Sequence, residues 1–217
     1  MSGRLYIVDG HPIVREGITS LIASEPDLSV CGATGSAVEA RRHIPELGPA
    51  LVTTGLLLPD GSGLTLIRDV RAEVDVPILV MSAELESLYA RRVLVAGALG
   101  YLSKRAPCSR IVEAVRQVLA GNVYLSEKMT SALLQAQITG TPLPNDSPLA
   151  LLSDRELEVF RRMGEGLSRR EIATRLSLSP KTVDTYQEHL KTKLDLDTNE
   201  QLRRDAALWV GKNRLRK

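Results

Sequence analysis

The chain has 217 residues, of which 43% are apolar and 25% charged, values that predict a soluble protein of one large or two modest domains. An aromatic content of 3% argues against a protein that stacks single-stranded bases, and two cysteines exclude a disulfide scaffold or a cysteine-rich zinc site. The net charge of +2 is unevenly divided, because residues 1–125 carry 12 basic and 13 acidic side chains whereas residues 126–217 carry 16 and 13.

The first 125 residues alternate short apolar runs with longer amphipathic stretches. The runs predict strands buried on both faces and cover residues 5–8, 28–31, 51–54, 78–81 and 100–102. Helices are predicted over residues 12–24, from 36 onward, and over 64–72, 86–96 and 109–120. This alternation predicts an α/β doubly wound domain whose parallel five-stranded sheet gathers functional groups at the carboxyl ends of its strands.

One helix of this region has a recognisable start signal. Ser36 and Glu39 have the spacing of a capping box, in which the hydroxyl and the carboxylate accept from each other's backbone N–H.

The segment after residue 125 contains no strand-like run. A helix is predicted over 131–138, and residues 139–148 hold three prolines with Gly, Asn and Asp, which marks an irregular linker. Four short helices follow, and their start signals are Ser153 with Glu156, Ser168 with Glu171, Ser179 before Pro180, and Thr198 with Gln201. We therefore predict a domain over 1–125, a linker with a helical segment over 126–150, and a small all-α domain over 151–217.

Two of these helices have the arrangement of a helix-turn-helix. A short helix over 170–176 is followed by the turn residues Ser177 and Leu178 and by a longer helix over 179–194. In this motif the second helix can lie in the DNA major groove, where its first residues reach base edges.

The spacing of residues divides this second helix into two faces. The core face is predicted to hold Val183, Tyr186, Leu190 and Leu194. The outward face, near the start of the helix, is predicted to hold Lys181, Thr182, Asp184, Thr185 and Glu188. Phosphate contacts, which supply affinity without sequence information, are predicted for Arg169, Arg170, Lys191 and Lys193. Spacing alone favours an ordinary solvated helix face equally well.

The C-terminal domain resembles the LuxR-type DNA-binding domain in four stretches that occur in the same order. They are Leu152-Ser-Asp-Arg-Glu-Leu-Glu-Val, Gly166-Leu-Ser-Arg-Arg-Glu-Ile-Ala, Leu178-Ser-Pro-Lys-Thr-Val-Asp-Thr-Tyr and Leu190-Lys-Thr-Lys-Leu. The resemblance implies a dimer contact on the last helix, for which the candidates are Leu202, Ala206 and Trp209.

The chain departs from this family at its recognition face. Gln187 and Glu188 stand where basic or small polar residues are frequent, and Asp184 is also acidic. Two carboxylates on this face suit the amino donor of cytosine N4 better than phosphates, and they lower the expected nonspecific affinity.

The N-terminal domain resembles a receiver domain, so that the whole chain resembles a NarL/FixJ-type response regulator. The resemblance is carried by Asp9-Gly-His-Pro-Ile-Val-Arg-Glu-Gly, Leu58-Pro-Asp-Gly-Ser-Gly-Leu and Gly100-Tyr-Leu-Ser-Lys. It implies a pocket in which three carboxylates bind Mg²⁺ and one of them accepts a phosphoryl group, with a hydroxyl and a lysine as further partners.

The residues at these positions are Asp9, Gly10, Gly55, Ser82, Tyr101 and Lys104. Gly10 replaces the second acid, and Gly55 stands where the resemblance places the phosphoacceptor. Because glycine has no side chain, phosphorylation at Gly55 is chemically impossible. We expect no metal site and no cofactor in this degenerate pocket.

Three neighbouring residues have alternative roles. Asp60 could substitute as an acceptor, but a turn aspartate is favoured. Asp9 is expected to form a structural ion pair with Lys104 rather than to bind a metal. His11 is expected to cap or pack.

These residues predict a DNA-binding transcription regulator that works without aspartyl phosphorylation, as a homodimer on double-stranded DNA. The alternative is an interaction protein whose receiver-like domain docks or sequesters a kinase or another regulator. Residues 84–100 with Tyr101 are a dimer or partner surface on one interpretation and ordinary core packing on the other. An enzyme is disfavoured, because no nucleophile set or P-loop spacing occurs. We expect a cytoplasmic protein without a signal peptide or membrane span.

Overall fold

A computed structural model describes residues 3–140 and 148–215. The chain forms two compact units, Met1–Leu143 and Pro144–Lys217. Most of the linker predicted over 139–148 lies outside the described residues. Among the residues that the structure describes, none of the helices combines the length and the hydropathy of a membrane span.

The first unit contains the five predicted strands, which are β1 (Gly3–Val8), β2 (Leu28–Thr34), β3 (Leu51–Thr54), β6 (Ile78–Ser82) and β7 (Gly100–Ser103). They form one parallel sheet of order β2-β1-β3-β6-β7. A short antiparallel pair, β4 (Leu57–Leu58) and β5 (Gly61–Ser62), lies between β3 and β6 in the chain. The helices are α1 (Pro12–Ala23), α2 (Ala37–Leu47), α3 (Gly63–Glu73), α4 (Glu86–Ala96), α5 (Cys108–Leu119) and α6 (Glu127–Thr139). The predicted doubly wound sheet is confirmed, and the pair β4–β5 was not predicted.

The sheet is buried because its strands carry apolar side chains on both faces. Leu5 and Ile7 of β1, with Leu51 of β3 and Leu79 of β6, are fully buried in a cluster with residues of α1 and α5. Full burial of such side chains stabilises a domain by about 1.5–3 kcal/mol each. The buried sheet therefore fixes where the loops at its carboxyl edge begin.

The start of α2 differs from the predicted capping box. Ser36 Oγ accepts from the Glu39 N–H at 3.1 Å, but the Glu39 carboxylate accepts from Thr34 Oγ1 instead of from the Ser36 N–H. The Ser36 N–H donates to Thr34 Oγ1. The prediction of reciprocal capping is wrong here, because the hydroxyl of Thr34 lies between the two groups.

Asp60 completes this helix start. Its carboxylate accepts from Ser36 Oγ at 2.6 Å and from the N–H groups of Ala37 and Val38 at 2.8 and 3.2 Å. Burial raises the pKa of Asp60, but these bonds together hold the pKa below its ordinary value. A carboxylate at a helix N-terminus is favourable, so this geometry supports the structural role of Asp60 over that of an acceptor.

The second unit contains helices throughout its described part. They are a 3₁₀ turn (Pro148–Leu151), α7 (Asp154–Gly164), α8 (Arg169–Leu176), α9 (Pro180–Leu194) and α10 (Asn199–Leu215). The capping boxes predicted at Ser153 and Ser168 form, and Thr198 and Gln201 also exchange both bonds. Ser179 caps α9 through the Thr182 N–H.

The last helix packs against α7 through the residues predicted to form a dimer contact. Leu202 and Ala206 are 0% exposed, and the Trp209 ring lies 6.0 Å from that of Phe160. The helices approach closely at Gly164, where a Cβ would overlap the Ala206 carbonyl. Leu202 and Ala206 are therefore not available for the predicted dimer contact, because the core of this unit already buries them.

Candidate functional site: a pocket at the sheet edge and a helix-turn-helix

The carboxyl ends of four strands bring the predicted pocket residues of the first unit to one edge of the sheet. Asp9 follows β1, Gly55 follows β3, Ser82 ends β6, and Lys104 follows β7. Parallel strands end at a common edge, so four segments distant in sequence converge there.

Asp9 is almost fully buried and uses both carboxylate oxygens. Its Oδ2 forms an ion pair with Lys104 Nζ. Its Oδ1 accepts from the His11 N–H at 2.9 Å and lies 3.1 Å from His11 Nδ1. The ion pair between Asp9 and Lys104 is the predicted one. His11 stands at the N-cap of α1, but its ring makes no cap bond and contacts Asp9 instead.

The two glycines of the pocket leave little space for carboxylates. A Cβ at Gly55 would lie 3.2 Å from Asp9 Oδ2. A Cβ at Gly10 would lie 3.1 Å from Pro59 Cδ and 3.2 Å from the Leu57 carbonyl. Mg²⁺ prefers several oxygen ligands, whereas the three predicted ligand positions here provide one carboxylate that is already engaged. The residues present therefore do not fit the metal that the receiver resemblance implies.

The hydroxyl groups of the pocket are held internally. Tyr101 is 1% exposed, and its hydroxyl donates to the Glu84 carbonyl at 2.6 Å. Ser82 Oγ accepts from the Glu84 N–H at 3.2 Å. Burial raises the pKa of Tyr101, so the phenol stays protonated and available as a donor.

These contacts bear on the surface predicted over 84–100. Tyr101 faces the interior, and the buried residues of α4 are Leu88, Tyr89, Ala90, Val93 and Ala96. For these side chains the core-packing interpretation is correct. Val95 of the same helix is 76% exposed.

In the second unit, α8 and α9 form the predicted helix-turn-helix. Ser177 ends α8 in the left-handed conformation with φ of 53°, which turns the chain sharply into Ser179 at the start of α9. Ile172 of α8 and Val183 of α9 are fully buried. The core thus fixes one face of each helix and leaves the other in solvent.

Gln187 lies on the core side of α9 rather than beside the outward residues. It is 5% exposed, and its Nε2 lies 3.8 Å from Met163 Sδ. Its spacing from Val183 and Leu190 already placed it on the apolar stripe, although its polarity suggested the recognition face.

The outward face of α9 carries the predicted base-reading residues. Lys181, Thr185 and Glu188 are exposed, whereas Thr182 and Asp184 are partly exposed. Thr182 Oγ1 lies 2.8 Å from Ser179 Oγ, so its hydroxyl takes part in the cap.

Several predicted DNA contacts already have acidic partners within the unit. Arg169 Nη1 donates to Asp184 Oδ2 at 2.8 Å, and Lys191 Nζ lies 3.0 Å from Glu188 Oε2. The side chain of Arg170 is exposed and forms no ion pair within the described ranges 3–140 and 148–215.

Lys193 has a structural partner that the sequence did not indicate. Its Nζ lies 2.7 Å from Oε2 of Glu156, which is 3% exposed. The same Oε2 accepts from the Ser153 N–H at 2.7 Å, and His189 Nδ1 lies 3.7 Å from the other oxygen. The capping box identified Glu156, but no local pattern links residues 37 positions apart.

Two family descriptions match the chain. Residues 5–116 match the response regulator receiver domain, and residues 150–206 match the bacterial regulatory proteins of the luxR family. These ranges contain the pocket and the helix-turn-helix, respectively.

Relatives align with both regions together. The DNA-binding transcriptional activator DevR/DosR of Mycobacterium tuberculosis is 32% identical over 199 residues, which cover 91% of either chain. The response regulator GacA of Pseudomonas viridiflava is 34% identical and covers 92% of either chain. A structure of RcsB from Salmonella enterica serovar Typhimurium, 24% identical, superposes with a TM-score of 0.72 over 95% of this chain and 98% of the other, a likeness of fold.

Proposed function

The chain belongs to the response regulators with a luxR-family DNA-binding region, and we propose that it regulates transcription without aspartyl phosphorylation. Membership makes it a DNA-binding transcriptional regulator of the response-regulator type.

Regulation without phosphorylation is supported by one observation. Gly55 offers no atom that could accept a phosphoryl group, and the remaining acid, Asp9, is occupied by Lys104 and His11. A regulator without this switch must set its conformational equilibrium by packing or by another ligand. The internal bonds of Tyr101 and Ser82 to Glu84 support a pocket held in one arrangement.

The experiment that tests this part uses acetyl phosphate as the phosphoryl donor. The full chain is incubated with acetyl phosphate and Mg²⁺, and its intact mass and its affinity for a selected DNA site are measured. We expect no phosphoadduct and unchanged affinity. An adduct that tightens DNA binding would overturn the proposal.

The proposed DNA interface is the outward face of α9 with the cations around it. Lys181 and Thr185 near the start of α9 are positioned for base edges, and Arg170 for a phosphate. Glu188 is suited to a cytosine N4 amino group. Lys193 contributes less than predicted, because its ammonium is already bonded to Glu156.

We propose that the regulator binds double-stranded DNA as a homodimer. With Leu202 and Ala206 buried, a dimer contact on α10 would use its exposed side, where Leu208 is 55% exposed. Analytical sedimentation at tens of micromolar should show a dimer, and only monomer at that concentration would contradict this part.

The second candidate function is an interaction protein that binds a kinase or another regulator through its first unit. The acidic partners of Arg169 and Lys191 favour it, because they reduce the positive charge available for phosphates. Genomic footprinting separates the two functions: discrete protected sites support the regulator, and their absence supports the interaction protein.

A further inference from the structure

The ion pair between Arg169 and Asp184 joins the two helices of the helix-turn-helix on their outward side. Arg169 opens α8 and Asp184 lies in the second turn of α9, and their side chains are 48% and 44% exposed. Exposed pairs add little to stability, so the fold does not depend on this one. The main effect of the ion pair is to position the Arg169 guanidinium.

We propose that Asp184 is a positioning residue that fixes Arg169 beside the start of α9, so that Arg169 reads a guanine in the major groove. The inference rests on the proposed DNA binding and names the base that this part of the interface recognises. It also revises the prediction that Asp184 accepts from cytosine, because Asp184 Oδ2 already accepts from Arg169.

The geometry leaves the guanidinium able to make this contact. Its rigid fork has five N–H donors, of which Nη1 donates to Asp184. Guanine presents O6 and N7 as two acceptors in the major groove, and the bidentate arginine contact to them is the commonest specific one. A side chain held from one side loses less rotamer freedom when it binds, which favours a contact that requires exact placement.

The charge of the pair favours a base over a phosphate. A carboxylate 2.8 Å from the guanidinium offsets its positive charge, which weakens its attraction to a phosphate but leaves its hydrogen-bond donors intact. Arg170 is the contrasting neighbour, because it is exposed and has no ion pair within the described part of the chain. A phosphate contact is therefore assigned to Arg170 and a base contact to Arg169.

The test selects bound sites from a random DNA pool with the full chain and four variants. The wild-type selection shows first whether the protein binds specific DNA at all. Arg169→Ala, Asp184→Ala and Asp184→Asn are then compared with the matched control Arg170→Ala, and circular dichroism confirms that each variant is folded. Affinities for the selected site and for a site with that guanine replaced are measured at several salt concentrations.

We expect Arg169→Ala to remove a preference for guanine at one position of each half-site, worth roughly 5- to 150-fold. Asp184→Ala should reduce the same preference. Nonspecific binding should rise, because the released guanidinium can reach a phosphate. Each phosphate contact steepens the slope of log binding constant against log salt concentration by about 0.9. Asp184→Asn should be intermediate, because its amide oxygen still accepts a bond but carries no charge. Arg170→Ala should weaken binding to all sequences alike.

Different outcomes of this experiment contradict the proposed DNA binding and the proposed role of Arg169. If the wild-type protein selects no sequence, the proposed DNA binding fails and the inference with it. If the wild type selects a site but Arg169→Ala weakens all sequences equally, Arg169 is a phosphate contact and the inference alone is overturned. The inference is also overturned if Asp184→Ala leaves the base preference unchanged.

Discussion

Lys104 and Asp9 form a buried ion pair at the place where the receiver resemblance puts phosphoryl chemistry. Asp9 is 2% exposed at its side chain and Lys104 is 17% exposed, and the second oxygen of Asp9 is bonded to His11. A buried charge is tolerated when it is paired and hydrogen-bonded, so each group depends on the other. We therefore expect the pair to contribute to the stability of the first unit.

We predict that Lys104→Met destabilises the first unit, because it leaves the Asp9 carboxylate buried without its cation. Removing one partner of a buried pair typically costs about 3–5 kcal/mol. Urea unfolding followed by circular dichroism should shift to lower urea, and Lys104→Met combined with Asp9→Asn should recover part of the loss. The fluorescence of Trp209, the single tryptophan, reports the second unit and should change little.

The control for this substitution is Lys128→Met, at an exposed position of α6. It should alter the free energy of unfolding by less than about 0.5 kcal/mol, as surface substitutions usually do. Equal effects of the two substitutions would contradict the dependence of Asp9 on Lys104.

The same pocket predicts a difference between two substitutions of Gly55. An aspartate there brings a second carboxylate next to Asp9, since even its Cβ would lie 3.2 Å from Asp9 Oδ2, whereas an asparagine of the same shape brings no charge. Two adjacent carboxylate charges repel each other and disfavour the ionised form. We therefore expect Gly55→Asp to be less stable than Gly55→Asn at pH 7.

Unfolding of both variants between pH 3.5 and pH 7, with and without Mg²⁺, measures this difference. Protonation of one of two adjacent carboxylates removes their repulsion, so the penalty should be present at pH 7 and should fall as the pH is lowered. Mg²⁺ should also reduce the penalty, because it neutralises two adjacent carboxylates. If the two variants have the same stability at every pH, the carboxylates do not interact.

Much of both units could be predicted from the sequence because local patterns determine them. The five apolar runs became the five strands, and the capping boxes at Ser153 and Ser168 mark the true starts of α7 and α8. The pair β4–β5 was missed because two-residue strands show no periodicity. Contacts between distant residues, such as Lys193 with Glu156, were not predictable because they depend on how helices pack.

The buried hydroxyl of Thr53 predicts a stabilising substitution. Thr53 is 1% exposed, and its Oγ1 has no hydrogen-bond partner among the residues that the structure describes. An unpaired buried polar group costs about 1–3 kcal/mol, and valine has nearly the same shape without that group. Thr53→Val should therefore raise the free energy of unfolding by about 1 kcal/mol, measured by urea unfolding.

The next residue of β3 provides the matched control. Thr54 is equally buried, but its Oγ1 donates to the Gly55 carbonyl at 3.0 Å. Thr54→Val removes that bond and should lower the free energy of unfolding by about 1 kcal/mol. A change of stability in the same direction in both variants would contradict the difference between the two hydroxyls.

Gln187 tests the division between the core and recognition faces of α9. Gln187→Met keeps an unbranched side chain of similar length beside Met163 and replaces a buried amide by an apolar group. We expect the free energy of unfolding of the second unit, measured by Trp209 fluorescence, to be unchanged or higher. The selected DNA site should stay the same. The control Glu188→Met, on the outward face, should change base preference with little effect on stability. If Gln187→Met changes base preference, Gln187 contacts the DNA and the division between the two faces is wrong.

Glu156 predicts a pH dependence confined to the second unit. Burial raises the pKa of Glu156, but the bonds from Lys193 and Ser153 outweigh it and hold the pKa below its ordinary value of 4.5. A depressed folded pKa gives stability that is fully present above the unfolded pKa and is lost as the pH falls through the folded one. Below about pH 4.5, unfolding followed by Trp209 fluorescence should therefore shift to lower urea in the wild type. Glu156→Gln should be less stable than the wild type at pH 7, and its stability should depend less on pH in this range. If the variant keeps the pH dependence of the wild type, another group causes it.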